Sequence, residues 1–109
     1  MARAVNRGDI WTYRFAGPDK RRPVAVLTRQ EVIPLLRTVM VAPITSTIRG
    51  APSEVPVGPE HGLQHASVVN LDHVQTVERS RLERRIGRLG PEEMREICRA
   101  LAVAVGCDG

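Results

Sequence analysis

Three aromatic side chains, two cysteines and one lysine are all that this 109-residue chain holds of those types, and most of its shortages remove a class of protein. Two cysteines, Cys98 and Cys107, can neither staple a small secreted domain nor close a four-ligand zinc site. No apolar run approaches the ~20 residues that span a bilayer, so no membrane association is expected. No basic stretch followed by an apolar one opens the chain, so a cytoplasmic protein is expected rather than an exported one. A P-loop, a GxGxxG turn and an HExxH helix are all missing. What is there suits a single domain over residues 1–109, with 42% hydrophobic residues for one thin core.

Charge is present but unevenly placed. Sixteen basic residues stand against twelve acidic ones, a net +4, and fifteen of the sixteen are arginine. Residues 1–50 hold nine bases and three acids, whereas residues 51–109 hold seven and nine. A positive half points to an anionic partner, nucleic acid first. A GC-rich genome produces the same arginine bias without selection for phosphate, so charge alone does not decide.

Hydrophobic patterning predicts a mainly β protein. Ile10–Phe15 alternates at period two, with Trp11, Tyr13 and Phe15 on one face; those rings read as the core side of a first strand rather than a stacking platform for bases. Residues 16–21 carry turn chemistry. Pro23–Thr28 is an apolar run suited to a strand buried on both faces, with Pro23 at its first position. Residues 30–36 have room for one helical turn, broken by Pro34. Thr38–Ala42 reads as a third strand closed by Pro43, and Ile44–Gly50 as a hydroxyl-rich loop that carries function. Ser53–Val57 is a weak strand confined to an edge by Pro56. Ser67–Leu71 and Val74–Val77 are two more candidates. Residues 79–89 fit a strand or a short helix equally well. The last element is the clearest: Pro91 at a first helical position, Glu92 and Glu93 opposing the dipole, then Met94, Ile97, Cys98, Leu101 and Val105 on one stripe, with Gly106 as the stop. On that stripe Cys98 is expected in the core.

The chemistry available is narrow. His61 and His65 have a ligand-like spacing but lack a third ligand nearby, so no metal site is expected. Among the carboxylates only Asp9 and Asp72 fall at strand ends. Arginines and hydroxyls are what remain, a set suited to phosphate, since a planar guanidinium grips two oxygens and stabilises developing charge.

The order of segments carries more. Arg7-Gly8-Asp9-Ile10-Trp11, Arg22-Pro23-Val24, Val41-Ala42-Pro43-Ile44-Thr45-Ser46, Ser67-Val68-Val69-Asn70-Leu71-Asp72 and Gln75-Thr76-Val77, followed by the Pro91-Glu92-Glu93-Met94 helix start, together resemble the MazF/PemK family of type II toxins. The resemblance covers about residues 7–106. It implies an SH3-like β-barrel of the MazF/PemK/CcdB type with a C-terminal α-helix. It also implies a homodimer, a cognate MazE-like antitoxin as partner, and an endoribonuclease that cuts single-stranded RNA without metal or other cofactor. The implied products are a 2′,3′-cyclic phosphate and a 5′-hydroxyl end. Arg22 then matches the catalytic arginine and Thr45 the threonine that meets the scissile phosphate. Lys20, Arg21, Ser46, Thr47, Asp72 and Gln75 become the expected substrate-binding residues. Two departures stand out: the first loop is short and lacks a glutamate that many relatives carry before the arginine, and Asn70 stands where the PemK-like branch has an arginine. The competing readings are a gyrase-poisoning toxin of the CcdB type, which would need a C-terminal tryptophan, and a non-catalytic SH3-like binding module.

Overall fold

The computed structural model describes residues 4–17 and 21–107. Its seven strands are β1 (Asp9–Arg14), β2 (Arg21–Val26), β3 (Thr38–Thr45), β4 (Glu54–Val57), β5 (Ser67–Asn70), β6 (Gln75–Glu78) and β7 (Arg84–Arg88), and one helix, α1 (Pro91–Ala104), follows. All pairings are antiparallel, in the order β4-β5-β3-β2-β1-β7, with β6 also paired to β3. The sheet curls into a half-barrel, with β3 as the strand that holds it together. The first half of β3, Thr38–Val41, pairs with β6, and its end, Ile44 and Thr45, pairs with β5. Pro43 falls in the gap between those two ladders. A strand therefore passes through a residue that the sequence reading took as its end, and the functional loop begins at Ser46 rather than Ile44.

Period-two alternation sorts the strands' side chains into two cores. Ile10, Ala25, Ala42, Ile44 and Val69 face α1, together with Met94, Ile97 and Ala100 from the helix. Trp11, Tyr13, Val24, Val26, Val39, Val41 and Val77 face the other way, where Ile33 from a 3₁₀ turn at Gln30–Leu35 closes over them. The run after Pro23 is thus buried on both faces, as its composition predicts. Trp11 and Tyr13 are core; Phe15, only half-buried, packs edge-on against Tyr13 with ring centroids 4.8 Å apart and reaches a surface cavity. Residues 79–89 contain both expected forms, a 3₁₀ turn at Arg79–Arg81 and then β7.

Asp9 is fully buried. One carboxylate oxygen, Oδ2, accepts the Asn6 backbone N–H at 2.9 Å and Trp11 Nε1–H at 3.2 Å. Oδ1 lies 3.7 Å from both Arg85 and Arg88 on β7. This carboxylate, at the start of β1, ties the first strand to the last. A second tie is backbone against backbone: a Cβ on Gly87 would overlap the His61 carbonyl, and one on Gly62, at φ +94°, would overlap that of Ile86.

Helix α1 starts as its residues dictate, and Gly90 N–H donates to Glu93 Oε1 at 2.9 Å. Glu93's own backbone N–H, then that of Gly90 and the neighbouring His61, hold its carboxyl below the usual range against a smaller opposing cost of burial. The buried stripe is Met94, Ile97 and Ala100, flanked by Leu101 and Ala104. Cys98, expected in the core, is exposed, with Arg7 Nη2 donating to its Sγ at 3.5 Å. The reason is rotation of the helix toward Ala100 and Ala104, whose small side chains permit close approach to the sheet; Cys98 and Val105 then turn outward.

Candidate active site

The β2–β3 register sets the centre of the site. Val24 pairs with Pro43, and two residues further along the same antiparallel register Arg22 comes opposite Thr45. Arg22 shares a strand face with Val24 and Val26, and Thr45 shares one with Val41 and Val39. The catalytic candidates are therefore an extension of the aromatic core face, past the point where side chains cover it. Phe15 and Gln75 continue the same face from β1 and β6.

Two cavities meet at this pair. The first, about 450 Å³, is lined by Arg22, Thr45, Thr47, Arg49, Glu54, Asn70, His73 and Gln75, with Phe15 and Pro43 as its apolar part. The second, about 930 Å³, shares Arg22, Thr45 and Thr47 and runs on past Ser46 and His65 to Arg84 and Arg85. Arg22 is exposed and forms no ion pair among the described residues. Thr45 Oγ1 accepts the Thr47 backbone N–H at 3.1 Å, which leaves its hydroxyl hydrogen to donate elsewhere. The backbone bond and a phosphate contact are therefore compatible.

The other expected residues divide. Ser46 lines the second cavity, Thr47 both, and Gln75 the first. Arg21 reaches the second cavity while pairing with Glu83 at 2.9 Å. Asp72 lines neither cavity, and its Oδ2 accepts the Ser53 hydroxyl at 2.5 Å. Lys20 lies outside the described residues. Besides the apolar Phe15 and Pro43, four polar residues of the first cavity were not singled out as substrate-binding: Arg49, Glu54, Asn70 and His73. Glu54 and Asn70 are cross-strand partners in the β4–β5 ladder, a pairing that linear spacing does not reveal.

Charge at the first cavity is two guanidiniums, Arg22 and Arg49, against one carboxylate. Glu54 Oε1 accepts the backbone N–H groups of Arg49, Gly50 and Ala51 at 3.1, 2.9 and 3.3 Å, so that carboxylate is already engaged. His61 is engaged as well, its Nδ1 accepting Gly58 N–H at 3.2 Å and its Nε2 lying 3.4 Å from Glu93. Among the described residues no three of His, Cys, Asp and Glu gather as a metal site. The arrangement is a groove with a hydroxyl and a guanidinium at its middle and a recess to either side.

Comparison with known proteins bears on this groove. A family model described as PemK-like, MazF-like toxin of type II toxin–antitoxin system matches residues 6–105. "Probable endoribonuclease MazF5" of Mycobacterium tuberculosis is 48% identical over 102 residues, 93% of each chain. "Endoribonuclease MazF3" of the same organism is 44% identical over 90 residues, 83% of this chain and 87% of that one. Among solved structures, "Mycobacterium tuberculosis toxin MazF-mt6" superposes with a TM-score of 0.84 at 40% identity, covering 93% of this chain and 99% of that one. A mycobacterial endoribonuclease solved in complex with its cognate antitoxin has a TM-score of 0.84 at 26% identity, with coverages of 94% and 96%.

Proposed function

Because the chain belongs to the PemK-like, MazF-like toxins of type II toxin–antitoxin systems, we propose that it is the toxin of such a pair. It is an endoribonuclease that cuts single-stranded RNA at defined sequences without a metal, and so blocks translation and growth. The observation that carries this is the convergence of Arg22 and Thr45 at the border of two cavities. A strand laid across that border has its phosphate at the pair and a nucleotide in each recess.

The reaction follows from those groups. The ribose 2′-oxygen forms a bond to phosphorus while the bond from phosphorus to the 5′-oxygen breaks, giving a 2′,3′-cyclic phosphate and a 5′-hydroxyl. The Arg22 guanidinium, a planar set of N–H donors with no acceptor, steadies the negative charge that builds on the phosphorane rather than passing a proton. Thr45 donates its hydroxyl to a phosphate oxygen. The 2′-hydroxyl proton passes to the imidazole of His73, which lines the first cavity; the 5′-oxygen takes its proton from solvent. In keeping with the family, the toxin acts as a homodimer, and a MazE-like antitoxin holds it inactive by laying an acidic segment along the arginine-rich groove. No helix of the described residues is long and apolar enough to cross a membrane, and we assign the protein to the cytoplasm, where its RNA substrate is.

Incubating purified protein with total bacterial RNA in EDTA, then mapping new 5′ ends beside an Arg22→Ala control, tests the reading. Discrete cuts bearing 5′-hydroxyls, lost in the control, support it. Absence of cuts from folded wild-type protein on messenger, transfer and ribosomal substrates defeats it.

A further inference from the structure

The loop between β3 and β4 carries Thr47 and Arg49 to the first cavity, yet Ser46–Gly50 is exposed throughout. Apolar packing does not hold it. Two polar ties do. Ser53, buried, donates its hydroxyl to Asp72 and accepts the Leu71 N–H at 3.0 Å through its carbonyl, fixing the loop's far end to the turn after β5. Nearer the cavity, Glu54 Oε1 gathers the three consecutive N–H groups of residues 49–51. Gly50, at φ +76° with open space around it, supplies the left-handed turn that lets those donors converge. Arg49, whose backbone N–H is the first of the three, forms no ion pair among the described residues and lines the same cavity as Arg22.

We propose that Glu54 is a positioning residue for RNA binding. Its carboxylate sets the 46–53 loop so that the Arg49 guanidinium meets the phosphate next to the scissile one. It rests on the nuclease reading above, and Glu54 itself touches neither the reacting atoms nor the cleaved bond. A carboxylate accepting three N–H bonds is a strong restraint on an otherwise exposed loop. Releasing it leaves Arg49 to sample many positions, so affinity falls while the Arg22–Thr45 pair, held by the β2–β3 ladder, stays in place.

The test uses the full chain and a fluorogenic oligonucleotide bearing its mapped cleavage site, with Glu54→Ala, Glu54→Gln, Arg49→Ala and the Glu54→Ala/Arg49→Ala double variant. Glu54→Ala raises KM about tenfold with kcat within about threefold, the scale of one charge-assisted contact. The slope of log affinity against log salt falls by about 0.7 in Glu54→Ala and in Arg49→Ala, as for one lost phosphate on a single strand. Glu54→Gln, which keeps an acceptor oxygen of the same shape, recovers most of the loss, and the double variant is no worse than Arg49→Ala. Multiplicative losses in the double variant, or an unchanged salt slope in Glu54→Ala, overturn the proposal. Should Glu54→Ala fail to fold, the same cycle run with Glu54→Met, which keeps the side chain's length but has no acceptor oxygen, decides. A second arm measures affinity for the 2′-deoxy form of the oligonucleotide. Wild-type protein that binds the deoxy form but never cleaves the ribo-oligonucleotide overturns the nuclease reading, while wild-type cleavage matched by Glu54→Ala overturns only the role of Glu54.

Discussion

Replacing Asp9 by asparagine or alanine removes the one fully buried charge among the described residues. Its oxygens face two kinds of partner, and the distances separate their contributions. The Asn6 N–H and Trp11 Nε1–H bonds to Oδ2, at 2.9 and 3.2 Å, are each worth about 1.5–3 kcal/mol as bonds to a charged group. The Arg85 and Arg88 contacts, at 3.7 Å from side chains that are 49% and 62% exposed, are screened and worth about 0–1 kcal/mol each. Asp9→Asn keeps an acceptor for both donors but leaves a buried NH₂ toward the arginines, a cost of about 2–3 kcal/mol. Asp9→Ala also removes the acceptor of the Trp11 and Asn6 bonds, about 3–5 kcal/mol. At about 4 °C or more per kcal/mol for a domain of this size, the expected fall in Tm is roughly 8 °C or more for Asn and larger for Ala, read by melting at one fixed protein concentration. Because the hydrogen bonds dominate, the difference from wild type persists in ~0.5 M salt. A loss below about 0.5 kcal/mol, or one that vanishes in salt, refutes the reasoning by giving the arginines the leading part.

Arg22→Lys keeps the charge but not the planar fork, so cleavage falls by about a hundredfold in kcat; Tm, read on the same sample, moves little because Arg22 is exposed. Gly87→Ala forces a Cβ into the His61 carbonyl, and a chemical-denaturation series shows a loss of about 3 kcal/mol or more; a neutral result means that the β7 approach relaxes freely. Glu93, with its pKa lowered in the folded state, adds stability that is fully present above its unfolded pKa and disappears as pH falls through the folded value. The stability gap between wild type and Glu93→Gln is therefore widest near neutrality and narrows below about pH 4, as urea titrations across that range check.

Much of the fold is legible in the chain because burial repeats with the backbone. The alternation at Ile10–Tyr13 and the apolar run at Val24–Leu27 name their strands, and Pro91 with Glu92 and Glu93 names the helix start. Cys98 misleads because a helix offers overlapping stripes, and alanines at 100 and 104 weigh little in a hydrophobicity pattern yet fix which stripe turns inward. Residues 79–89 carry no period, since the arginines of an exposed edge strand have no buried side to repeat. At the site, Arg22 and Thr45 are found through segment order. Glu54, Asn70 and His73 come to the same cavity only through the β4–β5 pairing and the turn after it, which depend on contacts remote in sequence.

The β2–β3 ladder has a consequence for how such a protein changes over generations. The connection between those strands, residues 27–37, can gain or lose residues without sliding Arg22 against Thr45, because their alignment is locked on the far side by Val24–Val26 against Val41–Pro43. The loop from Ser46 to Ser53 can be exchanged with equal freedom, provided that its replacement offers an anchor its own inward-turned amides. On the proposed reading, the Arg22–Thr45 pair and the phosphate-binding loop are thus written in separate stretches of the gene, and a lineage can rework the loop in a handful of codons while the pair is inherited intact.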